Sequence, residues 1–310
     1  MNARQVLVTG ATGFIGSAVL RALAARPGVA ARGLVRRAPG GDSARFVLGD
    51  LTEPASLEAA CRGVHTVVHA ASEVGEDPRR CWAVNAAGTA ALVAAAHRAG
   101  VARIVHVSTA SVYGRGPHCG APPPAAGYRP SSAASRSRLV AERVVRDHGG
   151  VVVRPHLVHG RGDRWFVPAL AGLLVAAGAR IDSPALVSTI LVDDLARAVC
   201  ALAALEDDRP HRGTALDVNH PEPTSVRALG EAVAGALAPD VPDRSAPLAA
   251  FERLLPEGGR HRRHLAVLAH DRWYESRRVW DVTGLDPGAP FEVGLERCAD
   301  WYRHFLRARW

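Results

Sequence analysis

The chain has 310 residues, 48% hydrophobic and 22% charged, with a formal charge of +8 and five cysteines. Such a length supports one large α/β unit plus a smaller lobe. Scattered cysteines in odd number and never as C-x-x-C exclude a disulfide framework or zinc site, and no run of about eighteen apolar residues marks a membrane span, so a cytoplasmic protein is expected.

Gln5–Thr9 is an apolar run suited to a buried parallel strand. Gly10, Gly13 and Gly16 follow at G-x-x-G-x-x-G spacing, and Ser17–Ala25 carries apolar residues at helical intervals. Strand, glycine turn and helix in that order open a dinucleotide-binding unit. Gly10 permits the tight turn, Gly13 lets the backbone approach a pyrophosphate, and Gly16 lets the helix pack on the strand. Thr12, Phe14 and Ile15 complete the phosphate-binding turn at the helix N-terminus. Val29–Val35 is a second strand ending at Arg36 and Arg37. An acidic residue there would bind a ribose 2′-hydroxyl, whereas arginine suits a 2′-phosphate, so the expected cofactor is NADP(H).

Arg45–Leu48 reads as a third strand before Asp50 and Leu51, and Val64–His69 as a fourth running into Ala70, Ala71 and Ser72. Trp82–Gly100 reads as an alanine-rich helix, Ile104–Val107 as a fifth strand, Ser137–Asp147 as a helix and Val151–Arg154 as a sixth strand. This alternation predicts a Rossmann-type, doubly wound parallel α/β sheet. Gly116–Pro130, rich in proline, glycine and alanine, reads as a loop at the substrate edge. Beyond residue 155 the pattern loosens. Arg161–Gly178 mixes a loop and an apolar helix, and Thr189–Leu205 joins an Asp-Asp turn to another helix. Gly213–Val218 returns as a strand, Pro239–Arg278 is polar and proline-broken, and Pro290–Phe305 closes with a helix. The expected division is a dinucleotide-binding domain over 1–160 and a mainly substrate-binding lobe over 161–310, with segments at about 186–220 packing back on the core.

The basic balance does not point to nucleic acid. The arginines are spread along the chain, and their complete replacement of lysine, with abundant alanine, indicates a G+C-rich genome. Only Arg260–Arg263, with His261, is densely basic, and it reads as a solvated surface.

Several motifs together resemble the extended short-chain dehydrogenase/reductases of the NAD-dependent epimerase/dehydratase type. They are TGATGFIG at Thr9–Gly16, GDL at Gly49–Leu51, HAAS at His69–Ser72, Val84-Asn85 with Gly88-Thr89, and VSTASVYG at Val107–Gly114. Arg154-Pro155 with His159-Gly160, VDDL at Val192–Leu195, Gly284-Leu285 and Trp301-Tyr302 extend the likeness along nearly the whole chain. The resemblance implies that Thr109 donates a hydrogen bond to a substrate oxygen, with Ser111 beside it. It implies that Ala70, Ala71, Ser72 and Asn85 line the cofactor cleft, that Pro155, His156, Leu157 and Val158 flank the nicotinamide, and that Tyr113 borders the pocket. Trp165 and Phe166 are the further substrate-binding candidates. Pairing of two copies through the helices near Trp82–Gly100 and Ser137–Asp147 is also implied.

The chain departs from the resemblance at one point. Ser137, Leu139, Ala141 and Glu142 keep the register of Y-x-x-S-K-x-x-x-E, which puts Ala134 at the tyrosine and Arg138 at the lysine. Arg138 can hydrogen-bond a ribose, yet its guanidinium stays charged and shuttles no proton. Tyr128 lies in a loop six residues upstream, and no basic neighbour is expected to lower its pKa. A general acid contributes about 10²–10⁴-fold, while orientation and oxyanion stabilisation survive its loss. Three readings follow: an NADPH-dependent ketoreductase of an aromatic ketone with catalytic candidates Thr109, Ser111 and Arg138, a cofactor-binding sensor or scaffold without turnover, and a nucleotide-sugar epimerase or dehydratase. Loss of the tyrosine within a high-G+C setting resembles the simocyclinone-type ketoreductases of aromatic polyketide antibiotics. With no phenol at position 134, a hydroxyl on the substrate's ring beside the carbonyl is expected to supply the proton, since a phenol of pKa about 10 ionises far more easily than an aliphatic alcohol. No metal is expected.

Overall fold

The computed structural model describes residues 3–38, 45–120, 127–206, 211–256 and 260–308. Strand β1 (Arg4–Thr9), helix α1 (Phe14–Ala24), β2 (Val29–Val35), β3 (Phe46–Leu48), helix α2 (Pro54–Cys61) and β4 (Thr66–His69) open the chain. A helical stretch then passes through Pro78–Cys81 and a π-helical turn, Trp82–Ala87, into α3 (Gly88–Arg98). After it come β5 (Arg103–Val107), α4 (Ala133–Asp147), β6 (Val151–Arg154), α5 (Val167–Ala177), α6 (Val192–Ala204) and β7 (Ala215–Asp217). Helices α7 (Val226–Leu237), α8 (Arg260–Leu268) and α9 (Phe291–Arg307) belong to the C-terminal part.

The seven strands form one parallel sheet in the order β7-β6-β5-β4-β1-β2-β3. Every residue of β4, β5 and β6 is buried, as expected of strands covered on both faces. Period-two alternation divides β1: Val6 and Val8 pack with α1 and α6, through Val19, Leu23, Leu195 and Val199. Leu7 turns to the other face and packs with α2 and α3, through Leu57, Leu92 and Ala96. A third apolar core joins α5, α7 and α9, with Phe251, Phe291 and Tyr302 fully buried.

The sequence expectations meet the structure closely at β2 and β6, and the returning strand is β7, paired with β6. Asp193 and Asp194, expected as a turn, instead occupy the first turn of α6. There their negative charge complements the positive end of the helix dipole. The predicted loop at Gly116–Pro130 contains a short strand, His118–Gly120, while 121–126 lies outside the described residues. That strand joins Leu186–Val187, Thr224–Ser225 and Arg272–Tyr274 in a small second sheet. Of the basic cluster, Arg262 pairs with Glu252 at 3.4 Å and Arg263 with Glu76 at 2.5 Å. Among the described residues no helix is long and apolar enough to cross a membrane, and no group of three or more His, Cys, Asp or Glu is placed to hold a metal.

Candidate functional site

Two cavities meet at the C-terminal ends of the parallel strands, where open α/β sheets bind ligands. The first, of about 460 Å³, runs from Gly10–Gly16 past Arg36, Asp50 and Leu51 to Ala70–Ser72 and Arg138. Its shape requires glycine. Gly10 has φ +66°, and a Cβ there would stand 2.7 Å from the Ala71 backbone. A Cβ on Gly16 would stand 2.1 Å from the Gly10 carbonyl oxygen. No side chain caps the N-terminus of α1 and no acid lies in its first turn. The site therefore offers helix N–H groups and a positive dipole end to an anion. These residues fit a dinucleotide pyrophosphate.

Arg36 borders the cavity, whereas Arg37 is exposed and outside its wall. Burial raises the Asp50 pKa, but hydrogen bonds from the Thr52 backbone (2.9 Å) and hydroxyl (2.8 Å), with the Arg36 charge, hold it below the usual value. The strand ends are tied together by His69. Its Nδ1 lies 2.7 Å from Thr9 Oγ1 and its Nε2 lies 2.8 Å from Thr89 Oγ1, while Thr9 Oγ1 also accepts from the Ala71 N–H. Burial, then the charge of Arg138, pushes the His69 pKa down to about 3. The ring is therefore neutral.

Asn85 is placed differently from the expectation. It is buried and lines neither cavity. Its side chain accepts from Glu73 N–H at 2.7 Å and donates to the Glu73 carbonyl at 2.8 Å and to Ser137 Oγ at 3.0 Å. It supports the Ser72–Glu73 turn from behind.

The second cavity, of about 360 Å³, is mostly apolar and is walled by Phe14, Trp165, Phe166, and residues of α5 and α8. Phe14, Arg138 and Trp165 belong to both cavities. His156, Leu157 and Val158 border this second cavity and not the first, and Pro155 borders neither. The Trp165–Phe166 segment is held by Asp163. Its carboxylate accepts from the N–H groups of Trp165 (2.7 Å), Phe166 (2.9 Å) and Val167 (2.9 Å), and from the Tyr302 hydroxyl (3.0 Å).

Ser132 and Ser135 form a capping box that starts α4, which places Ala134 in the first turn and Arg138 one turn on. Arg138 donates to the Val107 carbonyl at 3.3 Å. Burial pushes its pKa down to about 10, opposed by Glu142, so it stays cationic at neutral pH. Glu142 itself is clamped by Arg154, with 3.1 Å contacts from Nε and a closer one from Nη2, and receives the Ser108 hydroxyl at 2.5 Å.

Three more expectations are corrected here. Tyr113 does not border a cavity: it is 2% exposed, and its hydroxyl donates to Asp217 at 2.9 Å and accepts from Arg154 at 3.0 Å. It packs in a cluster with Val112, Tyr128 and Tyr274. Tyr128 does have a basic neighbour, since Arg154 donates to its hydroxyl at 2.9 Å and lies 5.0 Å from its ring centre. The Thr109 oxygen caps the 3₁₀ turn Ala110–Tyr113 by accepting from Ser111 N–H at 3.1 Å. Neither Thr109 nor the exposed Ser111 borders either cavity. Two features escaped sequence reasoning: α8, which contributes His264, Val267 and Leu268 to the apolar cavity, and the Asp163 clamp. Neither has a motif, and both depend on contacts between distant segments.

A parallel Rossmann sheet with a glycine-lined cleft at its strand ends defines a dinucleotide-binding protein. Residues 6–215 match the NAD dependent epimerase/dehydratase family, and the chain belongs to that family. It is 35% identical to sterol demethylase protein B of Methylococcus capsulatus over 182 residues, 54% of each chain. It is 32% identical, again over 54% of each chain, to the 4-hydroxy-2-methyl-3-oxo-4-farnesyl-3,4-dihydroquinoline-1-oxide ketoreductase of Stigmatella aurantiaca. These alignments span about half the length of both relatives. Among solved structures, MoeE5 in complex with UDP-glucose and NAD superposes with a TM-score of 0.74 and 25% identity, covering 97% of this chain and 99% of that one. Structures sharing the fold hold NAD in some cases and NADPH in others.

Proposed function

We propose that this protein is an NADPH-dependent ketoreductase of an aromatic, polyketide-type ketone bearing a hydroxyl beside its carbonyl. The observation that carries the reading is Arg138, a half-buried cation shared by the dinucleotide cavity and the apolar cavity. A planar apolar substrate fits the second cavity, and the ketoreductase of Stigmatella aurantiaca is a relative with a related activity. The nucleotide-sugar reading is weaker, because an unactivated sugar hydroxyl needs a base and position 134 is alanine. A sensor or scaffold would bind NADPH and turn nothing over.

Bound NADPH supplies the hydride. The chain holds the ketone between Phe14, Trp165 and Phe166, while Arg138 stabilises the negative charge that develops on oxygen. The proton comes from the substrate: the neighbouring phenol O–H breaks as the new alcohol O–H forms, leaving a phenolate that takes a proton from water. A phenol of pKa about 10 ionises far more readily than an aliphatic alcohol. The assay offers 1-hydroxy-2-acetonaphthone and its methyl ether with NADPH, after binding of both is measured. The parent is expected to be reduced and the ether to lag by about 10²-fold or more. Equal rates would rule out substrate assistance, and no NADPH oxidation with any aryl ketone would favour the sensor.

Cofactor preference is tested separately. A charge-assisted hydrogen bond contributes about 1.5–3 kcal/mol. Arg36→Ala is therefore expected to weaken NADPH about ten- to a hundredfold in a fluorescence titration and to leave NADH nearly unchanged. Equal wild-type affinity for the two cofactors would contradict the reading.

A further inference from the structure

The wall of the dinucleotide cavity carries two acids, Asp50 and Glu73, and three cations, Arg36, Arg80 and Arg138. Asp50 is held by Thr52 and lies in the field of Arg36. Arg138 stands where the two cavities meet. That leaves Glu73 and Arg80, which no motif in the sequence marks. Glu73 follows β4, and a pyrophosphate at the glycine turn would lie close to it. A Cβ on Gly10 would stand 2.7 Å from the backbone of Ala71, two residues before Glu73. Each phosphate carries a negative charge, and so does the Glu73 carboxylate. Like charges repel at such range, so the wall needs a cation at this point.

We infer that Arg80 is a further dinucleotide-binding residue, contacting the pyrophosphate, and that Glu73 and Asn85 position it. The inference rests on the dinucleotide site of the reading above and not on its ketone. Asn85 accepts from the Glu73 N–H and donates to the Glu73 carbonyl, which fixes the turn. Glu73 Oε1 accepts from the Gly75 N–H at 3.0 Å, which fixes the side chain on its own turn. Glu73 Oε2 then meets Arg80 Nε at 3.2 Å and Nη2 at 3.1 Å. Arg80 reaches it from the helical turn Pro78–Cys81, which Asp77 starts by accepting from the Arg79 N–H at 2.9 Å.

The guanidinium thus meets the carboxylate along one edge. Its other edge, with Nη1, makes no hydrogen bond among the described residues. A planar guanidinium can serve an anion on each of two edges, which a point charge such as an ammonium does not do. The Arg80 side chain is 62% exposed, so the ion pair adds little to stability, while the same exposure leaves the cation open to a ligand in the cleft. The glycine turn then offers N–H groups to the pyrophosphate and Arg80 a full charge. That contact is common to NADPH and NADH, unlike the one proposed for Arg36.

The test is calorimetric titration of the full chain with ADP-ribose, which contains the pyrophosphate, and with 2′-AMP, which lacks it. Arg80→Met is expected to weaken ADP-ribose about tenfold, equivalent to ~1.4 kcal/mol, and to change 2′-AMP less than twofold. NADPH and NADH are expected to weaken by equal factors. Arg80→Lys, which keeps the charge, is expected to retain part of the affinity and serves if the methionine variant does not fold. Repeating Arg80→Met in a Glu73→Gln background separates contact from mere neutralisation of the carboxylate. A residue that only neutralised Glu73 would no longer be missed there, whereas a phosphate contact is expected to remain worth at least twofold. A loss of ADP-ribose affinity under twofold in either background, or a loss of 2′-AMP as large as that of ADP-ribose, overturns the inference. Weakened ADP-ribose in a protein that reduces no ketone would leave the inference standing and remove the ketoreductase reading; turnover with ADP-ribose binding indifferent to position 80 would do the reverse.

Discussion

Glu142→Ala is expected to destabilise the fold by about 3–5 kcal/mol, because it strands a buried guanidinium. Glu142 and Arg154 have side chains 1% and 3% exposed, and they form the centre of a network that includes Ser108, Tyr113, Tyr128 and Asp217. Removing the carboxylate leaves Arg154 facing only hydroxyls and the Asp217 carboxyl, whose pKa burial has already pushed up to about 7. The two-hydroxyl environment does not replace a bidentate ion pair. Urea unfolding followed by circular dichroism measures the loss. The double replacement Glu142→Leu with Arg154→Met should recover a large part of it, since no charge then remains to be solvated in the interior. A loss under about 1 kcal/mol for Glu142→Ala would mean that water reaches Arg154.

Arg138→Met is expected to lower turnover about 10²–10³-fold, the usual effect of removing a positioned donor to a developing oxyanion. Methionine preserves length and packing, so the loss reports charge and hydrogen bonding rather than a hole. The variant retains the glycine turn, the uncapped start of α1 and Arg36, so NADPH affinity is expected to fall far less than turnover. Single-turnover hydride transfer, monitored as loss of NADPH absorbance, separates the two effects. A rate within fivefold of the wild type would remove Arg138 from the proposed chemistry. Arg138→Lys should restore part of the rate, since the point charge returns without the planar donor set.

Much of the sheet was legible because parallel strands buried on both faces are continuous apolar runs. Val151–Arg154 is marked by that pattern, whereas Val29–Val35, interrupted by Arg32 and Gly33, is buried only at its end; the glycine turn between β1 and α1 is marked by the close approaches it must permit. The small second sheet was not legible, since strands of two or three residues such as Leu186–Val187 are too short for any period. For the site, local sequence locates residues and does not orient them. Thr109 sits at the strand end as expected, and its oxygen accepts from the Ser111 N–H. Tyr113 lies in the expected segment, yet Asp217, 104 residues away, draws its hydroxyl inward. His156, expected to flank the nicotinamide, borders the apolar cavity, where contacts from later segments, Asn219 and Tyr274, hold it.

The Asp163 clamp separates the shape of the pocket loop from the identity of the residues on it. Its bonds at positions 165 and 166 are to backbone N–H groups, and Tyr302 secures the carboxylate from the far side. Trp165, 68% exposed, contributes nothing to that hold beyond its peptide unit. Divergence at such a position changes which molecule is admitted without reopening the question of whether the loop folds. A lineage carrying this clamp could thus try new substrates one side chain at a time, each trial beginning from an intact protein.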